Sequence, residues 1–203
     1  MVGPTSRRAL LQAFTVTPIA VPLIAPPWTK ALAAVHRRYD DAPATLQRTK
    51  QGRSISRFRY HNAERSCLLL EAGFFSDPRF VRQTLHQAGS IAQQALCAYL
   101  LDIGFADPWN ARQIRQDIAK ALAYANATGL GHHCPDMARL ASVLSPYWKW
   151  GYHYDSWEEQ PDRDGFTPAT IIPLVRALVD RVHDVTGHRA PSGCRRVQRE
   201  ARS

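Results

Sequence analysis

The sequence predicts an all-α protein, a bundle of about five helices. Three observations carry this. Apolar residues between Val81 and Ile103 recur every three or four positions, the spacing of one helix face. The punctuation of helix ends appears twice, as Gly73 with Asp77-Pro78 and as Gly104 with Asp107-Pro108. The chain is 45% hydrophobic and 21% charged, which is the composition of a globular domain and not of a disordered one.

Taken in order, Trp28 to Asp41 reads as a helix, with Leu32, Val35 and Tyr39 at helical spacing and Asp40 to Pro43 ending it. Residues 44–60 are polar and basic. Gly52 and the hydroxyl residues Thr45, Thr49, Ser54 and Ser56 suit a loop or a second, solvated helix, and Arg57 to Tyr60 alternates like a short strand. Asn62 is the expected N-cap of a helix running to Ala72, with Gly73 as its left-handed terminator. The strongest helix is Pro78 to Ile103. Val81, Leu85, Ala88, Ala92, Ala95, Tyr99 and Ile103 line one face, which Leu96 and Leu100 widen. Pro108 to Thr128 follows, with Ala111, Ile114, Ile118, Leu122 and Ala125 facing in and alanines suited to close packing. A shorter helix spans Pro135 to Leu144 and stops at Ser145-Pro146. Residues 147–166 form a loop rich in aromatics and acids. The last helix is Pro168 to Val185, capped by Thr167 and closed by Gly187.

The first 33 residues differ in kind. Arg7 and Arg8 precede an uncharged run to Pro27, the order of a secretory signal. The string Ser6-Arg7-Arg8-Ala9-Leu10-Leu11-Gln12 resembles the twin-arginine translocation signal, Ser/Thr-Arg-Arg-x-Phe-Leu-Lys, with Leu10 for Phe and Gln12 for Lys. The resemblance covers these residues alone and implies a bacterial exported protein, periplasmic or extracellular after cleavage at Ala31-Leu32-Ala33 or just after Ala25. Two other readings are an uncleaved anchor and an extended arm packed on the domain. Pro18, Pro22, Pro26 and Pro27 oppose a regular spanning helix, so no transmembrane span is expected in the mature chain. This gives a signal at 1–33, one helical domain at 34–188 and a basic, disordered tail at 189–203.

The net charge of +9 is concentrated in residues 28–66 and in the tail. Such a distribution suits an anionic envelope surface, or nucleic acid if the chain stays in the cytoplasm. Cys67, Cys97, Cys134 and Cys194 form no CxxC pair. Export would permit disulfides, whereas a cytosolic chain would bury Cys67 and Cys97 as small apolar residues.

Two clusters could carry chemistry. His132, His133 and Cys134 are residue types that ligate zinc, the one cofactor such a cluster suggests, or that make a thiol nucleophile with a neighbouring base. The spacing of a metal motif is missing, and a polar turn with an incidental His pair is the plainer reading. Trp148, Trp150, Tyr152, Tyr154 and Trp157 lie in an aromatic stretch beside Glu158 and Glu159. They suit a ligand or protein partner, or the cover of one end of the core. Asp162 to Gly165 lacks the rest of a calcium loop, and the acids at 158–164 read as a solvated loop. No phosphate loop, dinucleotide fingerprint or serine-hydrolase elbow is present. The function that fits is a non-enzymatic, exported binding or envelope-associated protein. The alternatives are a cytosolic, basic nucleic-acid-binding protein using Arg48 to Arg59 and a metal- or thiol-dependent enzyme at His132, His133 and Cys134.

Overall fold

A computed structural model describes residues 27–73, 77–151 and 161–191. It is all-α. Seven helices and no strand are found among the described residues: α1 (Thr29–Tyr39), α2 (Lys50–Glu71), α3 (Val81–Ile103), α4 (Asp107–Trp109), α5 (Ile118–Ala127), α6 (Pro135–Val143) and α7 (Pro168–Thr186). No helix among them is long and apolar enough to cross a membrane. The signal-like segment to residue 26, the residues Tyr152, Tyr154 and Trp157, Cys194 and the tail from residue 192 lie outside the described residues.

Helix α3 is the axis. Fifteen of its 23 residues are buried, so its apolar surface is a cylinder and not the single face its spacing suggests. Thr84, Gly89, Ile91, Cys97, Ala98, Leu101 and Asp102 are buried as well, whereas Ile103 is only half-buried. Helices α2, α7 and α5 cover it, with α1 and α6 lying outside α5. Gly89 permits one close approach: a Cβ there would sit 2.2 Å from the Cβ of Tyr147. Tyr147 opens a 3-10 turn, Tyr147–Trp150, held to α3 by Arg82, whose Nη2 donates to the Gly151 carbonyl at 2.6 Å.

The region 44–60 resolves in favour of helix. α2 runs unbroken from Lys50, so the strand expected at Arg57 to Tyr60 does not form and Asn62 sits in mid-helix. The N-cap is Thr49, whose hydroxyl accepts from the Gly52 N–H at 2.9 Å. Ser56, which looked like a loop residue, is completely buried and donates to the Ala98 carbonyl of α3 at 2.6 Å. Gly73 and Gly104 take the expected positive φ, 89° and 115°. Of the aspartates that follow, Asp77 caps the 3-10 turn Pro78–Phe80 that leads into α3, whereas Asp107 lies inside α4 and caps nothing. Asp77 accepts from the Arg79 N–H within its own turn, and Asp107 pairs with Arg59 at 2.9 Å.

The helix expected from Pro108 to Thr128 breaks. After α4 the chain widens into a π-turn, Asn110–Ile114, then bends at Arg115 before Asp117 caps α5 by accepting from the Lys120 N–H at 2.9 Å. Ile114, Ile118, Leu122 and Ala125 remain buried, but Ala111 is exposed.

Helix α1 is moored largely by polar groups. Its one buried residue is Leu32. The Tyr124 hydroxyl donates to Asp41 at 2.7 Å, and Lys120 reaches the other Asp41 oxygen at 2.6 Å. His36 Nε2 accepts from the Ala44 N–H, so its Nδ1–H donates to the Tyr124 oxygen at 3.0 Å. A neutral ring uses both nitrogens there, and burial holds His36 below its ordinary 6.5, only partly opposed by Asp41.

Two predictions follow from this packing. Gly89→Ala should lower the melting temperature by several degrees, since overpacking costs about 1–3 kcal/mol. A variant that melts with wild type would disprove the close contact at Tyr147. Burial also lowers His86, His132 and His188 below 6.5. Because folding depresses these values, the unfolded chain takes up protons first as pH falls. Their stabilisation is complete above about pH 6.5 and declines below it. The urea midpoint should therefore drop between about pH 7.5 and 5. A flat midpoint would contradict the neutral rings.

Candidate functional site

The break between α4 and α5 opens a cleft of about 900 Å³, within the range of small-molecule sites. Arg59 of α2 and Gln93 and Cys97 of α3 form its back. Asp107, Asn110 to Asp117 and Lys120 form one side, and Ser145, Pro146 and Trp148 close the other. Ser145 fixes that rim: its hydroxyl accepts from the Ala119 N–H and donates to the Ala141 carbonyl.

Three polar groups in this wall have buried atoms with no hydrogen-bond partner: both amide atoms of Asn110, Arg59 Nε and Gln116 Oε1. Asn110 is the extreme case, at 3% exposure. A buried polar group without a partner costs about 1–3 kcal/mol, so four such atoms around one cleft are a concentrated cost. Backbone strain falls in the same place. Arg115 adopts φ 52°, ψ −116°, the conformation of the first central residue in a type II′ turn, where glycine is the residue without penalty. Gln93 holds it there, donating to the Arg115 carbonyl at 2.6 Å. Strain and unpaired polar groups thus fall in the same cleft.

Arg59, Arg112, Arg115 and Lys120 outnumber Asp107 and Asp117 in the lining. Arg59 answers Asp107, Lys120 answers Asp41 outside the cleft, and Asp117 caps α5. Arg112 and Arg115 remain as exposed cations at the mouth. The Cys97 thiol in the wall is pushed up to about 11, by burial first, so it is not a thiolate at neutral pH.

Trp148 belongs to this cleft, 41% exposed at its rim. Trp150 does not. It is 4% exposed, and its indole N–H donates to the Val143 carbonyl at 3.1 Å, so it is core. His132, His133 and Cys134 lie elsewhere, in the turn before α6. Asn126 clamps that turn from both sides, accepting from the His132 N–H and donating to the His132 carbonyl. Burial first, then Arg181 and His133, lowers His132. No group of three or more His, Cys, Asp or Glu side chains that could hold a metal occurs among the described residues.

Ser56, His188 and Asp102 have the composition of a hydrolase triad but not its proton geometry. His188 Nε2 lies 2.7 Å from Ser56 Oγ and 3.7 Å from Asp102, so one nitrogen faces both partners, where a triad uses two. Ser56 donates to Ala98, which leaves its oxygen to accept from Nε2–H. The ring is then no base toward Ser56, and all three residues are buried. They tie the chain after α7 to α2 and α3.

Comparisons with models of known families, with curated proteins and with solved structures found nothing that matches this chain.

The cleft was only partly legible in the sequence. Trp148 was signalled by its aromatic neighbours. Asn110 and Arg115 sat inside what reads as one continuous helix, and the available signal was Asp117, an N-cap residue three places before Lys120. If the Asn110 amide is unpaired, Asn110→Leu, which keeps the shape and removes the polar atoms, should raise the melting temperature by a few degrees. A clear loss of stability would show that the amide is satisfied in the protein.

Proposed function

We propose that this chain is a non-catalytic binding protein whose cleft takes a small polar anion that also carries a hydrogen-bond donor. The observation that carries the reading is Asn110, buried in the cleft wall with both amide atoms unpaired. Asn110, Arg59 and Gln116 line the cleft with an amide that can donate and accept, a guanidinium that donates and a second amide. Arg112 and Arg115 favour negative charge at the entrance. The half-exposed Trp148 ring offers a flat apolar wall. Nothing in the cleft is arranged as a nucleophile with a base: Cys97 is protonated, and the Ser145 hydroxyl bonds to the backbone of α5 and α6.

Export is part of this reading and rests on the twin-arginine resemblance at residues 6–12. Cleavage just after Ala25 would leave α1 whole, whereas cleavage at Ala31-Leu32-Ala33 would remove its first turn and Leu32, its buried anchor.

Thermal unfolding in the presence of single compounds tests the binding. Inorganic phosphate, free amino acids and nucleoside monophosphates sample the required combinations of charge, donor and flat surface. A compound present at a hundredfold excess over its Kd stabilises by about 2.7 kcal/mol, several degrees for a chain of this size. Such a shift should vanish in Asn110→Leu and in Arg115→Gly, although Arg115→Gly relieves backbone strain and should melt no lower than wild type without ligand. No shift with any of these compounds, or equal shifts in the two variants, would overturn the assignment of the cleft.

A further inference from the structure

We propose that α1 is a strap that holds the cleft open, and that its release lets the wall between α4 and α5 straighten and close it. That wall, residues 110–117, is in conflict with its own sequence. Ala111, Arg112, Gln113 and Gln116 are good helix formers, and the pattern reads as one helix from Pro108 to Thr128. The structure holds a π-turn there instead, followed by Arg115 at φ 52°. A strained stretch with a regular alternative persists only while its surroundings fix it. The wall is therefore an element with two arrangements, and its fasteners decide between them.

Both ends of the wall are fastened to α1 and the turn after it. Just before Asn110, the Trp109 indole N–H donates to the Ala42 carbonyl at 3.0 Å, and the His36 ring meets Trp109 edge-on at 5.8 Å. Just after Asp117, the Lys120 ammonium donates to Asp41 at 2.6 Å and lies 5.3 Å from the centre of the Tyr39 ring. Between these points Gln93 of α3 grips the Arg115 carbonyl. Fixing Trp109 and Lys120 fixes the direction of α4 relative to α5, and a continuous helix needs the two segments on one axis. The strap is itself lightly anchored, with Leu32 as its one buried residue. Its opening frees both ends of the wall at once. As a control on ligand access, this rests on the proposed use of the cleft; the coupling of α1 to the wall needs no ligand. By linkage, a ligand held in the cleft tightens α1 by the factor by which docked α1 tightens the ligand.

The test compares backbone NMR chemical shifts of the full chain with those of Leu32→Asp. Leu32 lies outside the cleft lining, and an aspartate cannot stay buried in its place, so α1 detaches without any change to a cleft residue. The shifts of Arg115 and Gln116 should move to helical values, while those of α3 and α7 stay in place and show that the core is folded. Asp41→Ala, which cuts Lys120 and Tyr124 loose from the strap, should move them the same way by less. Wild-type shifts at Arg115 in both variants would overturn the proposal. Any compound among phosphate, amino acids and nucleoside monophosphates that raises the wild-type melting temperature should bind Leu32→Asp about tenfold more weakly, as when the open wall falls to roughly one molecule in ten. Equal or tighter binding, the effect of a freed Lys120 cation, would also overturn it. A panel without a binder removes the small-ligand reading and leaves the chemical shifts to decide on the strap.

Discussion

One helix, α3, must be kept from water on nearly every side, and the other elements are arranged to do it. A helix buried all round can tolerate few polar groups, and each must find a partner. Asp102 does, through Arg53 at 2.6 Å. The covering helices therefore mix small residues for close approach with polar residues for specific reach. Ser56 serves both needs, compact enough for the α2–α3 contact and bonded to Ala98. Glu64, with no exposed side-chain surface, is matched by Arg176 of α7 at 2.6 Å. Removing either partner of such a pair leaves a buried charge unpaired, at a cost of about 3–5 kcal/mol.

Against this well-satisfied interior the cleft stands out by contrast. Asn110, Arg59 and Gln116 carry unpaired polar atoms in the same cleft as a strained backbone at Arg115. The π-turn is what brings them together. A regular helix through 110–118 would have kept its hydrogen-bond ladder and left no opening between α3 and Pro146. The widening turns Ala111 outward, keeps Ile114 in the core and places the Asn110 side chain in the wall.

Much of the fold was legible because its signals are local and redundant. α3 and α7 combine long apolar repeats with recognisable ends, Gly104 and Thr167 with Gly187. α2 was harder, because Gly52, Ser54 and Ser56 lower helix propensity and the contacts that override it come from α3. Thr49, which reads with those loop-like residues, is in fact the N-cap that starts the helix. The aromatic stretch was half-informative. Trp148 and Trp150 are near neighbours of the same type, yet one rims a cleft and the other fills the core, and only tertiary contacts distinguish them. The His132–Cys134 cluster attracted attention by composition, but its visible constraint is the Asn126 clamp on the backbone. Strain and unpaired atoms have no sequence signature, so the cleft could not have been placed without coordinates.

The mooring of α1 divides the molecule mechanically. Beyond Leu32, α1 rests on the half-buried Val35 and Tyr39, on ring contacts to Tyr124 and Trp109, and on a short chain of hydrogen bonds from Ala44 through His36 and Tyr124 to Asp41 and Lys120. With so little of it buried, α1 should open locally at a lower free-energy cost than the α2–α3–α7 core. Whatever pulls on the chain ahead of Thr29 therefore acts first on a helix with a single buried residue, and only through it on the core.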